Sequence, residues 1–165
     1  MPDAISNTSP LVYLYRIQAI EWLPKLFSNV WAPTAVVEEI KEGQRRGFDV
    51  PNPSIYSWLQ IVDPRATPSE WLSLDLGPGE LAAVALALES RTCVVLLDDL
   101  LARRTAQAAG LMVWGTLKVL LEAKSQGLTG RIEPSVNRLS ETGMWLSEEI
   151  RERILALAGE TASKA

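Results

Sequence analysis

The sequence predicts a three-layer α/β/α fold around a central parallel sheet of four to five strands. Three observations predict it. Short apolar segments alternate with longer stretches at helical spacing along most of the chain, the pattern of successive βα units. One of those segments, Cys93-Val94-Val95-Leu96-Leu97, is five consecutive apolar residues, as expected of a strand covered on both faces. It runs straight into Asp98-Asp99 at the place where the next helical pattern begins, and open α/β folds keep their ligands at the carboxyl ends of strands. At 165 residues the chain is read as one domain, 1–165, without repeat or linker.

Each element follows in order. Ala4-Ile5-Ser6 is the first strand and ends at Asn7. Ser9-Pro10 supplies a cap and a proline for the helix that carries Leu11, Leu14 and Tyr15 on one face. A short helix over 20–27 leads to the strand Val30-Trp31-Ala32. Pro33 opens a helix to about Gly43 whose inward stripe is Val36, Ile40 and Gly43; Glu39 falls within that stripe and Glu38 outside it. Residues 44–58 form a basic, then Gly/Pro/Asn-rich connection to the strand Leu59-Gln60-Ile61-Val62. Residues 63–76, with Pro64 and Pro68, read as a loop with some turn structure.

Gly77-Pro78-Gly79-Glu80 opens an alanine-rich helix to about Ser90 with Leu81, Val84, Ala85 and Leu88 inward. After the strand at 93–97, a helix from Asp99 to Ala109 should place Leu101, Thr105 and Ala108 inward, and Gly110 stops it. Leu111 to Trp114 is a fifth strand, and Gly115-Thr116 starts a helix ending near Gly127. Two further helices, over 134–142 and 147–157, pack on the domain or on a partner. The last carries Ile150, Ile154, Leu157 and Ala158 at helical spacing and a possible Glu149–Arg153 support pair.

Composition narrows the chemistry. The chain has no histidine and a lone Cys93, which removes Ser-His-Asp and Cys-His catalysis, cysteine zinc sites and a disulfide framework. A metal here must be held by oxygen, which favours Mg²⁺ or Mn²⁺. The net charge of −4 argues against coating nucleic acid by bulk electrostatics but is compatible with an acidic nuclease site. Neither a membrane span nor a basic-then-apolar secretory signal is visible, so a cytoplasmic location is expected.

With right-handed connections, the first and fourth strands can be neighbours where the strand order reverses. Asn7 and Asp98-Asp99 would then meet at one crevice, with Glu39 and Glu80 on flanking helices to close it. Such an all-oxygen set suits one or two divalent ions that activate water and neutralise a phosphodiester. Each acid also has a structural alternative. Glu39 can lie at the edge of its stripe with its head in water, and Glu80 can cap backbone donors in its first helical turn. One aspartate of the pair is readily explained as a helix cap, two less so, and Asn7 can be a turn residue. Arg103 projects opposite the expected inward stripe, whereas Arg104 flanks it and is placed to meet a phosphate. The six tryptophans suggest stacking on bases, but their scatter favours core or interface packing.

These residues also form a known pattern. Ser6-Asn7-Thr8-Ser9-Pro10-Leu11, Pro33-Thr34-Ala35-Val36-Val37-Glu38-Glu39-Ile40, Leu76-Gly77-Pro78-Gly79-Glu80, Leu97-Asp98-Asp99 with Ala102-Arg103, and Gly115-Thr116 resemble, in order, the motifs of the PIN-domain family. The likeness is greatest to a prokaryotic subfamily related to the VapC ribonuclease toxins. It implies a Mg²⁺- or Mn²⁺-dependent endoribonuclease, a homodimer and, for toxin members, a cognate antitoxin. It maps the four acidic positions to Asn7, Glu39, Glu80 and Asp98 or Asp99, with Ser9, Arg104 and Thr116 as expected substrate contacts. Asn7 departs from the aspartate most PIN nucleases carry and offers a metal a neutral oxygen. A catalytically degenerate PIN fold that binds RNA or protein is therefore the alternative. A phosphohydrolase or receiver-like domain fits less well, for want of an Asp-x-Asp start and a lysine partner.

Overall fold

The structure, a computed structural model, describes residues 1–66 and 69–160. Five strands make one sheet: β1 (Ala4–Ser6), β2 (Val30–Ala32), β3 (Leu59–Ile61), β4 (Val94–Leu96) and β5 (Met112–Trp114). All pairings are parallel, in the order β3-β2-β1-β4-β5. Ser6 is in register with Leu96, so β1 and β4 end side by side at the middle of the sheet.

Period-2 alternation divides the strands between two cores. Ala4, Val30, Ala32, Val94 and Leu96 face one core; Ile5, Cys93, Val95 and Leu97 face the other. The first core is covered by α1 (Thr8–Arg16), α2 (Leu23–Leu26), α3 (Thr34–Arg45), α7 (Thr116–Ser125), α8 (Glu133–Glu141) and α9 (Glu148–Leu157). The second is covered by α4 (Glu70–Ser73), α5 (Pro78–Glu89) and α6 (Leu100–Ala108). The connections around β2 and β3 thus lie on one face and those into and out of β4 on the other. The order reverses between β1 and β4, which opens a crevice at their carboxyl ends. Leu96 and Leu97, fully buried on opposite faces, each contribute about 1.5–3 kcal/mol of transfer free energy.

Several boundaries and faces differ from the sequence reading. Helix α1 starts at Thr8 with Asn7, not Ser9, at its cap position. The Asn7 N–H donates to Leu96 O at 3.1 Å, so sheet pairing continues to the residue where the helix begins, and Pro10 sits in a first turn that needs no N–H. Helix α3 runs past Gly43 to Arg45. In the 63–76 segment α4 is helical, while Pro68 lies outside the described residues. Helix α5 buries Ala83 through Ala87 consecutively and not a single stripe, because it is packed against both the sheet and α3.

Helix α6 turns Ala102 and Ala106 inward; Leu101 is exposed, as is Ala108. Its Asp99 cap sets the helix one residue off the assumed phase, and small alanines allow close approach to the sheet. In α9 the buried pair is Ile154 and Leu155, while Ile150 and Leu157 are exposed. The Glu149–Arg153 pair does not form; Arg151 instead reaches Asn137 on α8 at 2.8 Å. Glu160 ties the end of α9 to the start of α8, accepting from the N–H groups of Ile132 and Glu133 and from Lys124 Nζ. No helix among the described residues is long and apolar enough to cross a membrane.

Candidate functional site

Asn7 leaves β1 at the crevice with its side chain buried, and its Oδ1 accepts from no donor. Leaving a buried acceptor unpaired is costly, so its exception calls for an explanation. The next residue, Thr8, donates its hydroxyl to Glu39 Oε2, and the Gly79 N–H donates to Glu39 Oε1 at 2.8 Å. Glu39 therefore spans the N-terminal turns of α1 and α5. Position 79 must be glycine for this: a Cβ there would stand 2.7 Å from both carboxylate oxygens.

Glu80, one residue on, accepts from the Gly77 N–H at 3.3 Å, the capping contact anticipated for it. Partial burial holds its carboxyl above the usual carboxylate range, and the Asp99 and Glu39 charges push it the same way. Glu39, Glu80 and Asp99 thus form a like-charge group around the crevice.

The aspartate pair divides its work between two helices. Asp98 accepts from the Thr116 N–H and hydroxyl, both at 2.7 Å, and so caps α7. Asp99 accepts from the Ala102 N–H at 2.9 Å with Oδ2 and caps α6. Adjacent residues leaving a strand point to opposite sides of the sheet, and each meets the helix on its own side. Capping therefore accounts for both aspartates, which the sequence reading did not anticipate. Burial pushes the Asp98 carboxyl up, opposed by its two Thr116 hydrogen bonds and by the Arg103 charge.

A cleft of about 750 Å³ opens beside this group and is lined by Ser9, Glu80, Asp98 and Asp99. Arg103, Lys118, Trp145 and Ile150 line the same cleft. Two expected substrate contacts lie outside the cleft lining. Thr116 is fully buried and spends its N–H and hydroxyl on Asp98. Arg104 is exposed and is not part of the cleft wall, whereas Arg103 lines it with a buried Nε that has no acceptor. The one-residue phase shift of α6 exchanges the two arginines. Ser9 does line the cleft. Glu39 stands behind the cleft wall on Thr8 and Gly79.

Sequence reasoning missed Arg103, Lys118 and Trp145 as cleft residues and Thr8 and Gly79 as the holders of Glu39. Gly79 alone left a usable signal, a glycine inside the first turn of a helix otherwise rich in alanine.

The donor set fits a hard divalent cation by chemistry: all ligand atoms are oxygen, the carboxylates repel one another, and Asn7 Oδ1 is an acceptor without a donor. The carboxylates are drawn toward helix termini, and no three of them among the described residues are grouped closely enough to hold an ion. Residues 3–160 match the family model DUF3368, a PIN domain. A comparison with curated proteins finds no match.

Proposed function

The chain belongs to the PIN-domain family, a nuclease-type fold that meets nucleic acid, and from that premise we propose that it is a Mg²⁺- or Mn²⁺-dependent endoribonuclease of the VapC toxin kind. The observation that carries the proposal is the unpaired buried oxygen of Asn7 at the end of β1, beside a group of mutually repelling carboxylates. Asp99, Glu80 and Asn7 would hold the ion, and Glu39 and Asp98 stand next in line. When bound, the ion supplies charge neutralisation and water activation for phosphodiester hydrolysis.

The chain's own residues do the rest. Thr8 and Gly79 fix the Glu39 carboxylate, so the helix termini that carry Asn7 and Glu80 stay in one arrangement. Asp98 anchors the start of α7 and keeps Gly115 at the cleft floor, where a Cβ would stand 3.3 Å from Asp98 Oδ1 and from an Arg103 guanidinium nitrogen. Arg103 brings a cation to the cleft wall, where a phosphate would lie. A cytoplasmic antitoxin and a homodimer belong to the same proposal; co-purification with the product of an adjacent small reading frame and sedimentation of the pure protein test them.

The direct test is cleavage of structured RNA by the pure protein with Mn²⁺, beside Asp99→Asn. Asparagine keeps the α6 cap and removes the charge, so a lost activity reports on chemistry and not on folding. Wild-type cutting abolished in Asp99→Asn is expected. Equal cutting by both, or by neither, refutes the proposal.

A second reading has its own support. With a neutral amide at position 7 and no close trio of carboxylates, the fold also suits an RNA-binding module without hydrolysis. RNA binding by a wild-type protein that cuts nothing, with cutting gained in Asn7→Asp, would favour it.

A further inference from the structure

Trp145 is 81% exposed, while Trp22, Trp58 and Trp114 pack against the first core and Trp31 against the second. Its exposure is built in. Gly143 adopts φ +116, a turn conformation that L side chains rarely take, and the Met144 N–H then donates to Leu139 O at 3.0 Å. Met144 and Leu146 on either side pack into the core, and Ser147 caps α9 by accepting from the Ile150 N–H. Both flanks of Trp145 are therefore anchored, and the indole stands exposed on the short turn between them. It lies in the same cleft as Arg103 and Lys118 and as the carboxylates Glu80 and Asp99.

A flat apolar platform that shares one cleft with two cations complements a polyanion that carries flat bases. We infer that Trp145 stacks on a nucleobase of single-stranded RNA whose backbone phosphate is held at Arg103. This inference rests on the nucleic-acid reading of the cleft but not on hydrolysis. Stacking of this kind is tolerant of sequence, since every base presents a π-face, and a preformed tryptophan loses little freedom when it engages. Trp145 is thus a substrate-positioning residue; it acts on binding and register, away from the reacting atoms.

The test uses the full chain and a short single-stranded RNA in chelator, so that binding is read without cutting. Trp145→Ala should weaken binding roughly 5- to 150-fold, and Trp145→Phe should restore most of it. An oligonucleotide with the stacked base removed but its backbone intact should bind wild type and Trp145→Ala alike. Where cutting occurs with Mn²⁺, KM should rise and kcat should hold.

Equal binding of the intact oligonucleotide by wild type and Trp145→Ala overturns the inference. So does wild type that binds no single-stranded RNA, or a Trp145→Ala variant whose only change in sedimentation is loss of a dimer. Binding that depends on Trp145 in a protein that never cuts supports it and sinks hydrolysis instead.

Discussion

Substituting Gly79 by alanine tests the geometry of the acid group with one methyl. The new Cβ would start 2.7 Å from both Glu39 oxygens, against 3.4 Å for ordinary contact, so the carboxylate must retreat by about 0.7 Å. That retreat breaks or stretches its hydrogen bonds to Thr8 and to the residue 79 N–H, and hydrogen bonds to charged groups are each worth about 1.5–3 kcal/mol. Alanine returns about 0.5–1 kcal/mol through better helix propensity, so with the equivalent of one of the two bonds lost the net stability loss should be about 0.5–2.5 kcal/mol.

A displacement approaching 1 Å near reacting groups costs on the order of 100-fold, so RNA cleavage with Mn²⁺ should fall by about 10- to 100-fold. Gly77→Ala is the internal control, because a Cβ there meets nothing within 4 Å. Initial cleavage rates and urea midpoints of the three proteins decide the matter. If Gly79→Ala cuts and unfolds like Gly77→Ala, the position of the Glu39 carboxylate has no bearing on the site.

Three further outcomes follow from the same geometry. Asp98→Ala removes the cap of α7 and should lower stability by about 1–2 kcal/mol, read from urea unfolding; an unchanged midpoint would show that the Thr116 contacts are idle. Burial, with the Asp99 and Glu39 charges, raises the Glu80 carboxyl in the folded state, so in metal-free protein its contribution to stability is full below the unfolded value of 4.5 and is lost as pH rises through the folded value. Glu80→Gln should remove that decline, and a difference curve flat across this range would refute the raised value. Asn7→Asp buries a charge where an unpaired amide oxygen now sits; in chelator the variant should be about 1–3 kcal/mol less stable, and Mn²⁺ should raise its melting temperature more than that of wild type. Equal responses to Mn²⁺ would place the ion elsewhere.

The sheet was legible because its signals are local and strong. The strands at 4–6, 30–32 and 94–96 are short apolar runs bounded by polar or helix-starting residues, and right-handed connections allow the reversal of order between β1 and β4 that the sheet shows. The phase of α6 was not legible. Leu100 and Leu101 weigh more on any hydrophobic scale than Ala102 and Ala106, yet the alanines pack closely and the leucines are exposed. That one-residue error exchanged Arg103 for Arg104.

Contacts set by tertiary approach left even less trace. The bond between Asp98 and Thr116 crosses 18 residues, and that between Gly79 and Glu39 crosses 40. Nothing in either segment alone announces its partner. The acidic residues could be picked out because they stand at strand and helix ends, and the structure uses Asp98, Asp99 and Glu80 there to hold helix N-termini.

The placement of β1 also sets a timetable for synthesis. Its neighbours are β2, made about 25 residues later, and β4, made about 90 residues later. While the chain is being made, one side of β1 stays without its hydrogen-bonding partner until residues 94–96 emerge, and Asn7 stays apart from Asp98 and Asp99 for the same interval. The acid group at the carboxyl ends of β1 and β4 is thus assembled only after more than half of the chain exists, and until then the bare flank of β1 is an open strand edge that another strand or a chaperone can occupy.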